Sequence, residues 1–284
     1  MPPSHGEALL KVNELYDGEL SEVNVPGISE RLGEALGAAF EAQIEKEVRG
    51  DPLPKHVAVI MDGNRRFAWA AKLPANAGHK KGREQLERVL DWVLELGIEW
   101  FTIYALSSEN RLSRTDDELD LLYRLYIDGL LDIADDPRIH DNKVKVQCVG
   151  QLSELPDNVR EAIDTAREKT EEYNDFTFTV CLNYGGREEI VQAIRHLAKR
   201  VSKGELEPEM IEQSTVAEQL YTAGMPDPDL IIRTSGEERI SNFLLWQAAY
   251  SELYFTDVYW PMFTRREFLK AIRSYQRRQR RFGR

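Results

Sequence analysis

VAVIMDGNRRFA, residues 57–68, decides the reading of this chain. Five apolar residues run straight into Asp62, Gly63, Asn64 and two arginines. A short Val/Ile-rich run bounded by a glycine turn is the pattern of a buried strand. The charged residues after it then stand at the strand's carboxyl end. Similar runs recur at 56–61, 100–106, 144–149, 176–182, 229–233 and 253–258. Between them lie helical stretches, among them Lys80–Leu96, Asp116–Ala134, Asp157–Tyr173 and Arg187–Val201. Alternation of this kind predicts right-handed βαβ units: an α/β fold with a six-stranded, mainly parallel sheet flanked by helices.

Ligands of such sheets bind beyond the carboxyl ends of the strands, so the strand exits carry the functional reading. The first exit delivers Asp62, Gly63, Asn64, Arg65 and Arg66. The second delivers Ser107, Ser108, Glu109 and Asn110. The fourth delivers Asn183 to Arg187, and the fifth runs from Arg233 through Arg239 to Ser241. Glycines, hydroxyls, amides and arginines at helix openings suit a phosphate group, because free N–H groups and guanidinium forks bind anions. A carboxylate among them would repel phosphate unless a cation intervened. Mg²⁺ is the natural candidate, since it takes one or two carboxylates together with substrate phosphates. The alternative is that Gly63 and Gly186 are turn residues and that Asp62 caps the following helix. Neither GxxxxGK[ST] nor GxGxxG follows the first strand, so no nucleotide fingerprint is present.

The 284 residues are 42% apolar and carry a net charge of −12. From Arg265 to Arg284 nine basic residues face one acid, leaving 28 basic against 48 acidic residues elsewhere. An acidic body argues against nucleic-acid binding, and the basic end calls for an anionic partner. No apolar run approaches the ~18 residues of a membrane span, so a soluble, cytoplasmic protein is expected. Cys148 and Cys181 sit in apolar runs without CxxC spacing and read as buried free thiols. Residues 1–52 read as an N-terminal extension with an amphipathic helix near Ile28–Val48, carrying Leu32, Leu36, Ala39, Phe40 and Ile44. Residues 53–284 read as one domain.

HVAVIMDGNRR, GHKKG, YALSSEN, NYGGRE and IIRTSGEERISNFLLWQAAYSELYF closely resemble the cis-prenyltransferases, the undecaprenyl diphosphate synthase family. The match runs from about Lys55 to the terminal RRFGR. The resemblance implies a homodimer that adds isopentenyl diphosphate to an allylic prenyl diphosphate with Mg²⁺, each new double bond cis. The product would be a polyprenyl diphosphate for a glycosyl-carrier lipid, with membrane contact only to deliver it.

The resemblance also implies roles. Asp62 would be catalytic and hold the metal, with Glu252 of YSELYF as the second metal carboxylate, reaching across the dimer or from the nearby sheet. Gly63, Asn64, Arg65, Arg66 and Phe67 would form the allylic diphosphate cradle, with His79 of the GH motif as a further contact. Arg233, Arg239 and Ser241 would hold the isopentenyl diphosphate. Asn110 matches an asparagine proposed for proton removal. A neutral amide is a poor base, so orientation of substrate or water is its expected task. Ser107, Ser108, Glu109, Arg111 and Arg114 would complete that end. The stripe Leu119, Leu122, Leu125, Tyr126, Leu130 and Ile133 would lie beside the product chain. Arg281 and Gly283 form an R-x-G ending that in parts of the family reaches the partner's site.

The chain departs from the common bacterial pattern at Arg65, Phe67, Ala75, Arg111 and Glu238. Competing classes are a non-catalytic partner subunit and an unrelated Mg²⁺ phosphohydrolase. The first tends to lose the aspartate and arginines present here, and the second would need a partner carboxylate beside Asp62.

Overall fold

The structure, a computed structural model, describes residues 28–282, with side chains from Gly37 to Arg278. In chain order its elements are α1 (Ile28–Arg49), β1 (His56–Ile60), α2 (Asn64–Ala70), α3 (Ala75–Leu96), β2 (Trp100–Tyr104), α4 (Ser108–Ser113), α5 (Asp116–Asp135) and α6 (Pro137–Asp141). There follow β3 (Val144–Val149), α7 (Asp157–Thr170), β4 (Phe176–Cys181), α8 (Gly186–Ser202), α9 (Gln213–Ala217), β5 (Leu230–Arg233), β6 (Glu252–Phe255) and α10 (Arg265–Phe282). The chain divides into two compact units between Glu47 and Val48. In the first, α1 covers the expected amphipathic segment, and the side chains of Leu32 and Leu36 lie outside the described residues.

In the second unit six strands form one sheet in the order β3-β4-β2-β1-β5-β6. All five pairings are parallel, so the expected "mainly parallel" sheet is wholly so. β1 is paired on both sides and buried at every position, which explains its unbroken apolar run. The chain leaves β1 toward β2 and β4 on one side and returns at β5 on the other. β1 and β5 therefore flank the point where strand order reverses, the place where such sheets open a crevice. Phe101 and Phe178 stack across β2 and β4 with centroids 5.7 Å apart. Cys148 and Cys181 are both free, as expected, with Cys181 buried and Cys148 only partly so.

Helix ends follow local chemistry. The Thr115 side chain accepts the Glu118 N–H, and Asp116, Asp117 and Glu118 fill the first turn of α5, opposing the positive helix end. Gly97, at φ 76°, closes α3: its N–H donates to the Leu94 carbonyl and the Ile98 N–H to the Val93 carbonyl. The start of α3 was expected at Lys80 but lies at Ala75. Glycines at 78 and 82 are weak helix formers, and tertiary packing overrides them, as described below.

His56 opens β1 almost fully buried. Its ring nitrogens lie 2.8 Å from the Pro226 carbonyl and 2.8 Å from the Thr102 hydroxyl, which satisfies a neutral imidazole. Burial lowers its pKa to about 4, the Pro226 carbonyl and Asp229 only partly opposing this. The folded ring stays neutral down to about that pH, whereas an unfolded chain takes up the proton near 6.5. Acidification through that window therefore favours unfolding, at about 1.4 kcal/mol per pKa unit, and the loss levels off below the folded pKa. Thermal unfolding as a function of pH should show this slope, and His56→Gln should make it shallower.

Candidate active site

The crevice opens where β1 and β5 end. Thr234, just past β5, pins the first exit: its hydroxyl donates to the Asp62 carbonyl at 2.7 Å and accepts the Asp62 N–H at 3.0 Å. Asp62 is not the cap of α2. The N-cap is Gly63, at φ 98° with no side-chain cap bond, and a Cβ there would lie 2.9 Å from the Ser235 side chain. Only glycine fits that left-handed, crowded turn. The Asp62 carboxylate instead looks into the crevice. Oδ1 accepts from the Gly63 N–H at 2.6 Å and Arg66 at 3.1 Å, and Oδ2 accepts from Arg233 at 2.8 Å.

Burial alone would raise the Asp62 pKa, but the Arg233 hydrogen bond and the Arg66 charge together hold it below the ordinary carboxylate value. Arg233 is 5% exposed, and its guanidinium also donates to Ser241 Oγ at 2.7 Å and to the Arg239 carbonyl. Its Nε is buried without a partner among the described residues. Ser241 and Asn242 both adopt positive φ (48° and 63°), a turn that presents their side chains inward. Glu237 ties Arg66 (3.3 Å) to Arg239.

Around this core lies a cavity of about 720 Å³, lined by Asp62, Gly63, Asn64, Arg65, Arg66, His79, Ser107, Glu109, Asn110, Arg114, Arg233, Arg239 and Ser241 among others. Five arginines face two carboxylates there, a cationic site in an anionic protein. Ser107 caps α4 by accepting the Asn110 N–H at 3.0 Å, which fixes Asn110 at the rim. Arg65 reaches Glu118 at 3.5 Å. Burial, with the charges of Arg114 and Arg65, lowers the His79 pKa to about 4, so its ring is neutral at neutral pH.

Met61, Asn64, His79 and Ala105 belong also to a second, apolar cavity of about 110 Å³. Leu122, Leu125, Tyr126, Leu130 and Ile133 of α5 line it, as the apolar stripe implied; Leu119 does not. A polar basic chamber thus adjoins an apolar one, with these four residues lining both.

Several expected residues lie elsewhere. Phe67 sits on α2 outside the cavity wall. Ser108 is buried and donates to Glu109 at 3.3 Å, supporting the loop. Arg111 is held by the Glu154 carboxylate and carbonyl, both at 3.0 Å, and lines no part of the cavity. Glu252 does not reach Asp62 from the nearby sheet. It opens β6 opposite Leu230, whereas the site lies past the other end of the strands, and its carboxylate is 2.7 Å from Arg278. Within one chain the two carboxylates lie at opposite ends of the strands. Arg281's side chain and Gly283 lie outside the described residues.

The strand-exit reading passed over Met61, Tyr104 and Asn242, which also line the cavity. Their position at or beside the exits was the available signal. The role of Gly82 was hidden as well. A Cβ on it would come within 2.3 Å of Asn64 Oδ1 and 3.1 Å of Trp260, so α3 approaches the cradle only because that position is bare. Gly82→Ala should therefore displace Asn64, destabilise the fold by roughly 1–3 kcal/mol and cut diphosphate affinity; thermal unfolding and pyrophosphate titration measure both.

Fold and site define a class: a parallel α/β protein with an arginine-rich chamber at the switch point, adjoining an apolar recess. Residues 60–283 match the family described as "Putative undecaprenyl diphosphate synthase". The chain is 48% identical over 258 residues to the tritrans,polycis-undecaprenyl-diphosphate synthase (geranylgeranyl-diphosphate specific) of Thermoplasma volcanium, covering 91% of this chain and all of that one. It is 50% identical over 246 residues to the protein of the same name from Methanocaldococcus jannaschii, covering 86% and 88%. Among solved structures it resembles lavandulyl diphosphate synthase from Lavandula x intermedia in complex with dimethylallyl diphosphate, with TM-score 0.74, 34% identity and coverage of 79% and 95%. A "probable undecaprenyl diphosphate synthase" from Campylobacter jejuni gives TM-score 0.65 at 33% identity, covering 82% and 100%. The chain belongs to the undecaprenyl diphosphate synthase family of cis-prenyltransferases.

Proposed function

We propose that the protein is a cytoplasmic, homodimeric, Mg²⁺-dependent enzyme that condenses isopentenyl diphosphate onto an allylic prenyl diphosphate to make a cis-polyprenyl diphosphate for a carrier lipid. The carrying observation is that the basic and the apolar cavity adjoin, sharing Met61, Asn64, His79 and Ala105 in their walls. One molecule with an anionic head and an apolar tail fills both. Geranylgeranyl diphosphate is the proposed preferred starter, in line with the names of the relatives at 48% and 50% identity.

In the reaction the allylic C–O bond breaks and its electron pair leaves on the diphosphate. The isopentenyl double bond attacks the allylic carbon, and loss of a proton sets the new cis double bond. Arg65 and Arg66, with the N–H groups opening α2, would steady the departing diphosphate as its charge grows. Neutral His79 would add a donor without a charge. Arg233, Arg239 and Ser241 would hold the isopentenyl diphosphate, the open Nε of Arg233 giving one more donor. Asn110 would orient the group that takes the proton, a diphosphate oxygen or water.

Among the described residues no three His, Cys, Asp or Glu side chains cluster into a metal cage. What fits Mg²⁺ is the Asp62 carboxylate at the strand exit beside an arginine-lined chamber, since this ion takes one or two carboxylates and completes its shell with phosphate and water. Asp62 would hold it, and when bound it neutralises charge on the leaving diphosphate. Glu252 can join only from a second copy. Mixing Asp62→Ala with Glu252→Ala protein, each inactive alone, should then restore up to about a quarter of wild-type activity, because half of the random dimers hold one intact site. No recovery on mixing would confine Glu252 to its own subunit.

The deciding test of function incubates the protein with labelled isopentenyl diphosphate, Mg²⁺ and geranyl, farnesyl or geranylgeranyl diphosphate, and sizes the extracted products. Chain growth is expected with all and fastest with the last. No growth with any starter overturns the proposal.

A further inference from the structure

We infer that Arg83, latched by Asp132, is the movable side wall that limits how long the product grows; the inference rests on the chain-elongation reading above. The apolar cavity lies between α3, α5 and the sheet, and its lining includes two charged residues, Arg83 and Glu87, one turn apart on α3. Charged groups bordering an apolar chamber are costly unless paired or turned outward. Both conditions hold here. Arg83 Nε lies 3.6 Å from Glu87, and its Nη2 is ion-paired with Asp132 on the facing helix α5. The Arg83 side chain is 24% exposed against 68% for Asp132, so the stem lies along the apolar wall while the head reaches the surface.

Gly129 of α5 also lines the cavity and lies beside this bridge. A Cβ there would meet only Arg83 Nε, at 3.9 Å. On this face of the cavity α5 thus presents a bare backbone position, and the Arg83 stem covers it.

Volume makes the wall consequential. A dry cavity of roughly 150 Å³ accommodates one benzene molecule, so the 110 Å³ present holds about one five-carbon unit. The starter's tail already exceeds this volume, and every further unit fits only as the chamber enlarges again. The sheet side is closed by the buried Ile103, Phe178 and Val180. On the α3–α5 side Leu86 and the apolar stripe of α5 line the cavity, and across the seam between the two helices the closure is the flexible Arg83 side chain with its surface ion pair to Asp132. Such pairs are worth little, so this side yields first as the tail lengthens. The latch then acts on the competition between another addition and release, shifting it by up to about fivefold.

The test sizes products made by the full-length protein from geranylgeranyl diphosphate and labelled isopentenyl diphosphate, at equal total incorporation. Arg83→Ala should move the distribution to longer chains by at least one five-carbon unit. Asp132→Asn should move it the same way by less, and should add nothing in the Arg83→Ala background. Unchanged or shorter products from Arg83→Ala overturn the inference, and so does an unchanged distribution from Asp132→Asn. Should Arg83→Ala fail to fold by thermal melt, Asp132→Asn, altered at an exposed site, carries the test alone. Absence of chain growth by the wild type is the separate failure of the functional reading.

Discussion

Asp62→Ala should lower kcat by about 10²–10³-fold or more, the scale of losing one preorganised electrostatic partner of a developing charge, and should destabilise the unliganded protein. The second effect follows from Arg233, which is 5% exposed and loses its nearest counterion. The Ser241 hydroxyl and the Arg239 carbonyl remain to it, and neither carries charge. An uncompensated buried cation costs up to about 3–5 kcal/mol; Arg66 and Arg239 retain Glu237, which softens the loss to roughly 1–3 kcal/mol. Inorganic pyrophosphate should recover part of that stability by supplying negative charge to the same arginines. Steady-state kinetics and thermal unfolding with and without pyrophosphate check the two halves. Wild-type kcat in Asp62→Ala would remove this carboxylate from the chemistry.

Arg233→Ala should reduce kcat/KM for isopentenyl diphosphate by about 10²–10³-fold, since each charge-assisted hydrogen bond contributes roughly 1.5–3 kcal/mol and this fork makes more than one. It should also alter the pH profile. Arg233 and Arg66 together hold the Asp62 pKa below the ordinary value against the effect of burial. Without Arg233 the Asp62 pKa rises, so any acid limb of kcat/KM that reports this carboxylate moves to higher pH. For stability the sign is the same: a depressed carboxylate pKa stabilises the fold above the unfolded pKa, and this is lost as pH falls through the folded one. Arg233→Ala therefore loses that contribution at neutral pH. A variant with unchanged KM and an unmoved acid limb would place Arg233 outside the substrate pocket.

The strands were legible because β1 is an unbroken apolar run and β3 and β4 are β-branched stretches ending in turn residues, and the parallel order from β1 to β5 follows from the helices between them; β5 and β6 pair in parallel across a connection with no α-helix. The strand-exit rule brought Asp62, Arg66, Asn110, Arg233, Arg239 and Ser241 to one cavity. Arg111 entered the expected substrate set only through the family resemblance, and it lines no part of that cavity. Glu154, 43 positions along the chain, takes its guanidinium. The strand-exit rule was silent on Gly82, because a bare helix position gains meaning only from what packs on it. Motif matching placed Glu252 beside Asp62 in role but had no means of placing it in space.

By itself, then, the sequence determined what depends on neighbours along the chain: strand and helix periods, turn glycines, and the kinds of group at each strand exit. Tertiary structure decided what depends on distance between remote segments. It paired both oxygens of Asp62 with arginines, neutralised His79 by burial, and set the basic chamber beside an apolar one. It also separated Glu252 from Asp62 by the length of a strand. Side-chain periodicity is a property of consecutive residues, whereas Coulomb energy, desolvation and cavity shape depend on residues that only folding brings together.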